Sequence, residues 1–436
     1  MSKKNMHYLA AVTKLGDSEE ITTSKNIYSD SGVLLLGKGS RINSQVFGIL
    51  GKHRLQEELD DVLSIGDAIT NARLFKELRQ ELSRFPPFQR MMRAIPNPFK
   101  LEDHLRHIYL DDTMRNKVTV AYKSFPALFA HSLRVAICAA MVGIYCELTD
   151  EECEWLATAG LFHDLGDMHL APELFDPARI LSPEEKRAIY THPLVMFHLL
   201  KRRDAYHPHI SVPVLEHHER LNGSGYPQRK SGYSNKLSAV LALVEVIVSL
   251  RERYSIKRVG VALIGQIDLF DQEVIQALAR ATQHMGPVGE SEVPAVAPVS
   301  QSELNRLQLI ICQWREVQSG LDLDNLTNLQ QQLVKRIQGI QQMLVRGGIE
   351  LSGADALAAF AGDKVAMMEA YYLLEEALYS LRELHLELAR KYNNMEVETA
   401  GESVAAWLEQ LGKLIYDLEA ELGLDMDMDM DIGSID

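Results

Sequence analysis

The 436-residue chain is 46% hydrophobic and 24% charged, which is ordinary globular content with room for about two to four domains. A net charge of −15 argues against general nucleic-acid binding, because a polyanion would meet mostly carboxylates. The four cysteines, Cys138, Cys146, Cys153 and Cys312, form no CxxC pair and read as small apolar residues of a reducing compartment rather than a disulfide or zinc framework.

The opening MSKKNMHYLAAVTK is basic but has no long apolar stretch and no cleavage site, so no signal peptide is read there. Residues 21–42, ITTSKNIYSDSGVLLLGKGSRI, predict two or three short strands with SDSG as a turn. Helical spacing then continues to about residue 85, and the prolines of FPPFQR and IPNPFK punctuate the chain. Residues 1–100 therefore read as a small strand-plus-helix module that regulates or docks. Residues 101–285 are helical in pattern, with capping boxes at TDEE (Thr149) and SPEE (Ser182). Their longest apolar run, Leu237 to Leu250, is too short to span a bilayer and carries Glu245, so no membrane insertion is expected.

Residues 286–300 are rich in Pro, Gly, Val and Ser and read as a linker. After it, Ser300 and Glu303 suggest another capping box. Residues 301–423 carry long amphipathic stretches, broken at RGG and near AGES, that predict a bundle or coiled-coil-like domain able to form a homodimer. The Asp-Met repeat of residues 424–436 reads as a disordered acidic tail. The expected fold is mainly α, with a small N-terminal α+β module and a C-terminal helical region.

Between residues 131 and 245 the chain offers His131, His163, Asp164, His192, and the adjacent pair His217 and His218. Neighbouring histidines on a helix point about 100° apart, so a single-metal site seldom uses both. Six imidazole or carboxylate donors, with no cysteine among them, are the stock of a two-metal hydrolytic site rather than structural zinc. A metal pair of this kind generates hydroxide near neutral pH and clamps both oxygens of a displacement at phosphorus. Behind the histidine pair, NGSGYP offers two glycines able to take positive φ and a rigid Tyr-Pro step. His169, His198, His207 and His209 read as packing or surface residues.

Several stretches together resemble the HD-GYP subgroup of the HD-domain phosphohydrolases: HSLRV at His131, HDLG at His163, SPEE ahead of THP, and HHE-x3-GSGYP. Steps of 29 residues from His163 to His192 and 25 to His217 fit that arrangement, as does the trailing FDQEVIQAL. The likeness spans residues 100–285 and, weakly, 21–55. It implies a helical HD-domain core with two divalent metals, iron or manganese. His131 and His163 would serve the first metal, Asp164 would bridge, and His192, His217 and His218 would serve the second. The activity implied is hydrolysis of cyclic di-GMP to pGpG or GMP in cytoplasmic bacterial second-messenger signalling, with Gly225, Tyr226 and Pro227 shaping the substrate pocket and the same loop able to dock a protein partner.

The chain departs from that pattern in places. Asp167 stands where the family has lysine, which puts an anion near the scissile phosphate. Glu245 takes the position of an aspartate ligand, and a second aspartate becomes Val248. Ala127 stands where some members carry a third-metal glutamate. The family's substrate-binding arginine region is shortened to RERYSIKR, leaving Arg253 and Lys257, with Arg251 and Arg258, as anion-binding candidates, while Arg229 and Lys230 flank the loop. Three functions follow as alternatives: a cyclic di-GMP phosphodiesterase, a catalytically degenerate domain that senses cyclic di-GMP or contacts proteins, or an HD phosphohydrolase for another nucleotide or phosphate ester.

Overall fold

The computed structural model describes residues 6–85, 97–175, 182–253, 267–283, 301–323, 325–349 and 401–421, with isolated positions within 88–95 and 370–388. Contacts divide the chain into one unit within residues 1–252 and 268–287, and another within 253–267 and 288–436.

In the first unit, helix α1 (Met6–Ser18) buries Tyr8, Leu9 and Val12. Strand β1 (Ile21–Thr23) pairs antiparallel with β4 (Leu63–Ile65) in the register Ile21 to Ile65. Strand β2 (Ile27–Tyr28) pairs antiparallel with β3 (Leu34–Leu36) across the SDSG turn, where Gly32 has φ +83°. Between β3 and β4 lie α2 (Ser44–Gly51) and α3 (Leu59–Val62), and α4 (Asn71–Arg84) follows. Strand β4 corrects the expectation of unbroken helical spacing to residue 85. Its three residues alternate buried, exposed, buried, too short a run to separate from a helical pattern without the β1 partner.

The helical core runs through α5 (Pro98–Arg106), α6 (Asp112–Ser124), α7 (Pro126–Tyr145) and α8 (Asp150–Phe162). A 3-10 turn (Leu165–His169) leads on to α9 (Pro183–Ile189), α10 (His192–Lys201), α11 (Pro208–Glu216), α12 (Lys236–Arg253) and α13 (Gln272–Gln283). Thr149 and Ser182 both form reciprocal capping boxes, with Glu152 and Glu185. Helix α7 is apolar and long enough to cross a membrane by composition, with a mean hydropathy of 1.8, but 72% of that window is buried. It is the central core helix. A Cβ on Gly160 of α8 would lie 2.8 Å from Ala136 Cα, so α7 and α8 meet backbone to backbone. Cys138, Cys146 and Cys153 are buried free thiols in this core.

A buried polar cluster joins the N-terminal elements to the core. Lys117 of α6 and Asp60 of α3 form a 3.0 Å ion pair with side chains only 1% and 4% exposed. Tyr8 donates its hydroxyl hydrogen to Asp60, and the Lys117 ammonium lies 4.0 Å over the Tyr8 ring. Lys117 Nζ also lies 3.1 Å from His169 Nε2, at the end of the 3-10 turn. Burial, then the Lys117 charge, hold His169 well below the ordinary histidine pKa, so its ring is neutral and accepts from Lys117.

The second unit packs α14 (Gln301–Ser319), α15 (Asn328–Arg346) and α16 (Glu402–Glu421) around Trp314, Leu333, Ile337 and Trp407. Trp407 Nε1 donates to the Ile310 carbonyl at 3.2 Å. A capping box at Thr327 and Gln330 opens α15, a signal the sequence reading passed over. The helix ends at Gly347, within the RGG break. Cys312 is exposed. The linker 286–300, the Ser300 cap and the tail 424–436 lie outside the described residues.

Replacing Lys117 by methionine strands the Asp60 carboxylate in the core, an expected loss of about 3–5 kcal/mol in unfolding free energy. Combining K117M with D60N should recover part of that loss, as read by urea denaturation; an equal loss in both variants would contradict the pairing.

Candidate metal centre

Five helix segments converge on one carboxylate. His131 lies on α7, His163 caps the C-terminus of α8, and Asp164 follows it directly. His192 starts α10 with Pro193 behind it, His217 caps α11 and is followed by His218, and Glu245 lies on α12. Two donor groups result, one of His131, His163, Asp164 and Glu245, the other of Asp164, His192, His217 and His218. Within each group the donor atoms lie within 4.8 Å of one another, and Asp164 belongs to both.

The two oxygens of Asp164 face different groups. Oδ2 lies 3.1 Å from His163 Nε2 and 3.7 Å from His131 Nε2, whereas Oδ1 lies 3.1 Å from His192 Nε2 and 3.3 Å from His217 Nε2. Glu245 Oε2 closes the first group at 3.0 Å from both His131 Nε2 and His163 Nε2. His192 Nε2 and His217 Nε2 are 3.1 Å apart.

Helix ends explain how the rings are aimed. The last carbonyls of a helix have no partner within it and are free to accept. His163 Nδ1 lies 2.8 Å from Gly160 O, His192 Nδ1 2.9 Å from Ile189 O, and His217 Nδ1 2.7 Å from Val214 O. Each carbonyl three residues back takes an Nδ1–H, which fixes the tautomer and turns the Nε2 lone pair inward. His163 Nε2 and Asp164 Oδ1 are buried and have no hydrogen-bond partner among the described residues. Donors about 2.1 Å from one cation stand about 3–4 Å apart, so the spacing and the unmatched atoms both fit divalent metal.

Without metal, these groups share charge among themselves. Burial works against protonated His163, but the Asp164 and Glu245 carboxylates beside it outweigh it and raise its pKa to about 10. His192 reaches about 9 on the same balance, with Asp167 and Asp164 as the opposing charges. Burial drops His217 to about 4 and holds His218 well below the usual histidine range. Burial opposes ionisation of Asp164 and Glu245 too, yet the surrounding imidazoles keep both well below the carboxylate range.

Glycines set the close approaches. A Cβ on Gly166 would fall 2.4 Å from His192 O, so HDLG must have glycine for the turn to reach α10. Of the two glycines in NGSGYP, Gly223 takes positive φ, at +73°, and Gly225 does not. Gly225 is needed for a different reason from the one expected, since a Cβ there would lie 2.3 Å from His218 O. That contact presses Tyr226 onto the centre: its ring stacks on His218 at 4.4 Å and on Tyr190 at 4.0 Å.

Some participants were not read from the sequence. Tyr190 is one. The two glutamates flanking the histidine pair are others: Glu219 Oε1 accepts from the Gln228 and Arg229 amides at 2.6 and 3.2 Å, and Glu216 Oε2 accepts from the Ser234 amide at 2.9 Å. They hold the loop, and the sequence places them directly on either side of the histidine pair. Ser249, which donates to Glu245 Oε1 at 2.7 Å, is a further one. Asp167 Oδ1 sits 3.3 Å from His192 Nδ1, and burial raises its pKa to about 7 against the opposing pull of His192. Lys230 pairs with Glu216 rather than standing as an anion-facing charge. The side chain of Arg253, its neighbour Arg251, and Lys257 and Arg258 lie outside the described residues.

The family described as HD domain matches residues 119–259, which hold every donor above. This stretch carries an HD domain, and its HD pair and GYP loop resemble those of the HD-GYP type. It is similar to the 3'3'-cGAMP-specific phosphodiesterase 3 of Vibrio cholerae, 24% identical over 43% of this chain and 43% of the relative. The cyclic di-GMP phosphodiesterase response regulator RpfG of Xanthomonas campestris is 26% identical over 34% of this chain and 41% of its own. A cyclic di-GMP phosphodiesterase of Thermotoga maritima is 28% identical over 31% and 39%. The matched stretch thus spans less than half the length of each relative.

Metal uptake must displace the protons that His163 and His192 hold when metal-free. Affinity should therefore climb with pH toward those values, by roughly 10-fold or more between about pH 6 and 8 in chelator competition; a flat profile would contradict the protonated rings. Asp164→Asn should deplete both donor groups and His217→Ala only the second, as counted by elemental analysis.

Proposed function

We propose that this centre is a metal-dependent phosphodiesterase that opens a cyclic dinucleotide, with cyclic di-GMP as the first substrate and pGpG or GMP as product. The observation that carries the reading is Asp164, which presents one oxygen to each of two donor groups beside a rigid aromatic wall. The named activities of the similar proteins support the same class of substrate. Two divalent cations, iron or manganese, would supply acidification of a water and neutralisation of charge on the phosphodiester oxygens.

The chain's own residues do the rest. Asp164 fixes the spacing of the two groups, and the carbonyl-anchored imidazoles hold their lone pairs without rotating. Tyr226 is clamped between Tyr190 and His218, which hold its ring rigid at the edge of the centre. Burial, reinforced by Asp164 and Asp167, keeps its hydroxyl protonated and available as a donor to a phosphate or ribose oxygen.

A second reading, a domain that binds metal and dinucleotide but signals without cutting, is favoured by one observation. Asp167 places a carboxylate, 15% exposed, against His192, where the family's lysine would help bind the phosphate. Both readings belong to a cytoplasmic second-messenger protein, with the GYP loop open to a protein partner and the C-terminal helices a candidate homodimer contact.

Anaerobic incubation of the full chain with Mn²⁺ or Fe²⁺ and cyclic di-GMP, with 3'3'-cGAMP in parallel, separates them. Formation of linear product, lost in His217→Ala, is the expected result, and Asp167→Lys should raise turnover by about 10-fold or more. Tight dinucleotide binding with no product from the wild-type chain would leave the sensor reading in its place.

A further inference from the structure

We propose that Ser249 is a positioning residue for Glu245, replacing a support that Val248 cannot give; the proposal rests on the reading of this centre as a metal site. Glutamate has one more rotatable bond than aspartate, so a glutamate ligand must have its carboxylate held to present a fixed oxygen. Glu245 lies on a helix whose neighbouring side chains are apolar: Val244 is fully buried, Ile247 is 9% exposed and Val248 2%. None of these can hydrogen-bond to it.

Ser249 stands one turn further along α12, at the i+4 position that shares a helix face with residue 245. Its Oγ donates to Glu245 Oε1 at 2.7 Å. The other oxygen, Oε2, lies 3.0 Å from His131 Nε2 and 3.0 Å from His163 Nε2. One carboxylate oxygen is thus tethered by the serine and the other is aimed at the first donor group. The tether settles the side-chain torsions, so the longer arm costs the site no definition. Glu245 and Ser249 act as a matched pair: the length of the ligand and the place of its support change together. An aspartate at 245 would be too short to reach both the imidazoles and the serine.

The test is Mn²⁺ binding to the full chain, followed by electron paramagnetic resonance of free metal, in a cycle of wild type, S249A, E245D and the double variant. Outer hydrogen bonds to metal ligands are worth roughly 10–100-fold in affinity. The expected result is that the wild type holds two Mn²⁺, and S249A holds one as before and the other about 10–100-fold more weakly. S249T, which keeps the hydroxyl, should restore it, and S249A should add no loss in the E245D background. Unchanged binding in S249A overturns the proposal while leaving the metal centre standing. An equal loss in both backgrounds also overturns it, because the damage would then be general to the helix. A wild-type chain that takes up no Mn²⁺ overturns the metal-centre reading itself, and this proposal with it.

Discussion

A carboxylate withdrawn from water must be compensated, and in this protein that requirement falls on Asp164. Its side chain is 13% exposed and ringed by four imidazole nitrogens, and the protons held on His163 and His192 offset its charge when no cation is present. An isolated charge so placed would cost several kcal/mol. The helical core is arranged around this requirement: α7, α8, α10, α11 and α12 each end or pass where they can offer a donor to one small volume. Packing alone would not bring five segments to a polar point. Their apolar faces, led by the buried length of α7, hold them there.

Precision at the centre comes from main-chain atoms. Three imidazoles are tethered to carbonyls three residues behind them, near the C-terminal ends of α8, α9 and α11. The side chain satisfies a carbonyl that the helix leaves open, and the carbonyl fixes the ring. Gly166 and Gly225 let neighbouring backbone come within distances that any Cβ would forbid. The centre is therefore defined largely by helix termini, whose geometry tolerates little change.

How much of this could be read from the letters depended on whether the signal was local. The donor histidines, Asp164 and Glu245 stood in motifs with fixed spacing, and the capping boxes at Thr149 and Ser182 lay within four consecutive residues. Strand β4 was hidden because its three residues make sense only beside β1, some 40 residues earlier. Tyr190 was hidden because its stacking on Tyr226 joins the end of α9 to a loop that no local pattern links to it. Ser249 was hidden because a lone serine in an apolar helix carries no motif, and its bond to Glu245 shows only once the i+4 face is built. Gly225 was assigned to a turn, but its backbone is crowded rather than left-handed.

The turn from Leu165 to His169 begins next to Asp164 and ends on the Lys117, Asp60 and Tyr8 cluster. Five residues wound into a 3-10 turn have almost no slack, so its two ends are mechanically one piece. Binding at one end and packing at the other are then reciprocal, since any free energy that favours one arrangement of the turn is felt equally from both sides. Tyr8 lies against His169 at 4.7 Å between ring centroids, which ties the packing of α1 to the far end of the turn that starts beside Asp164.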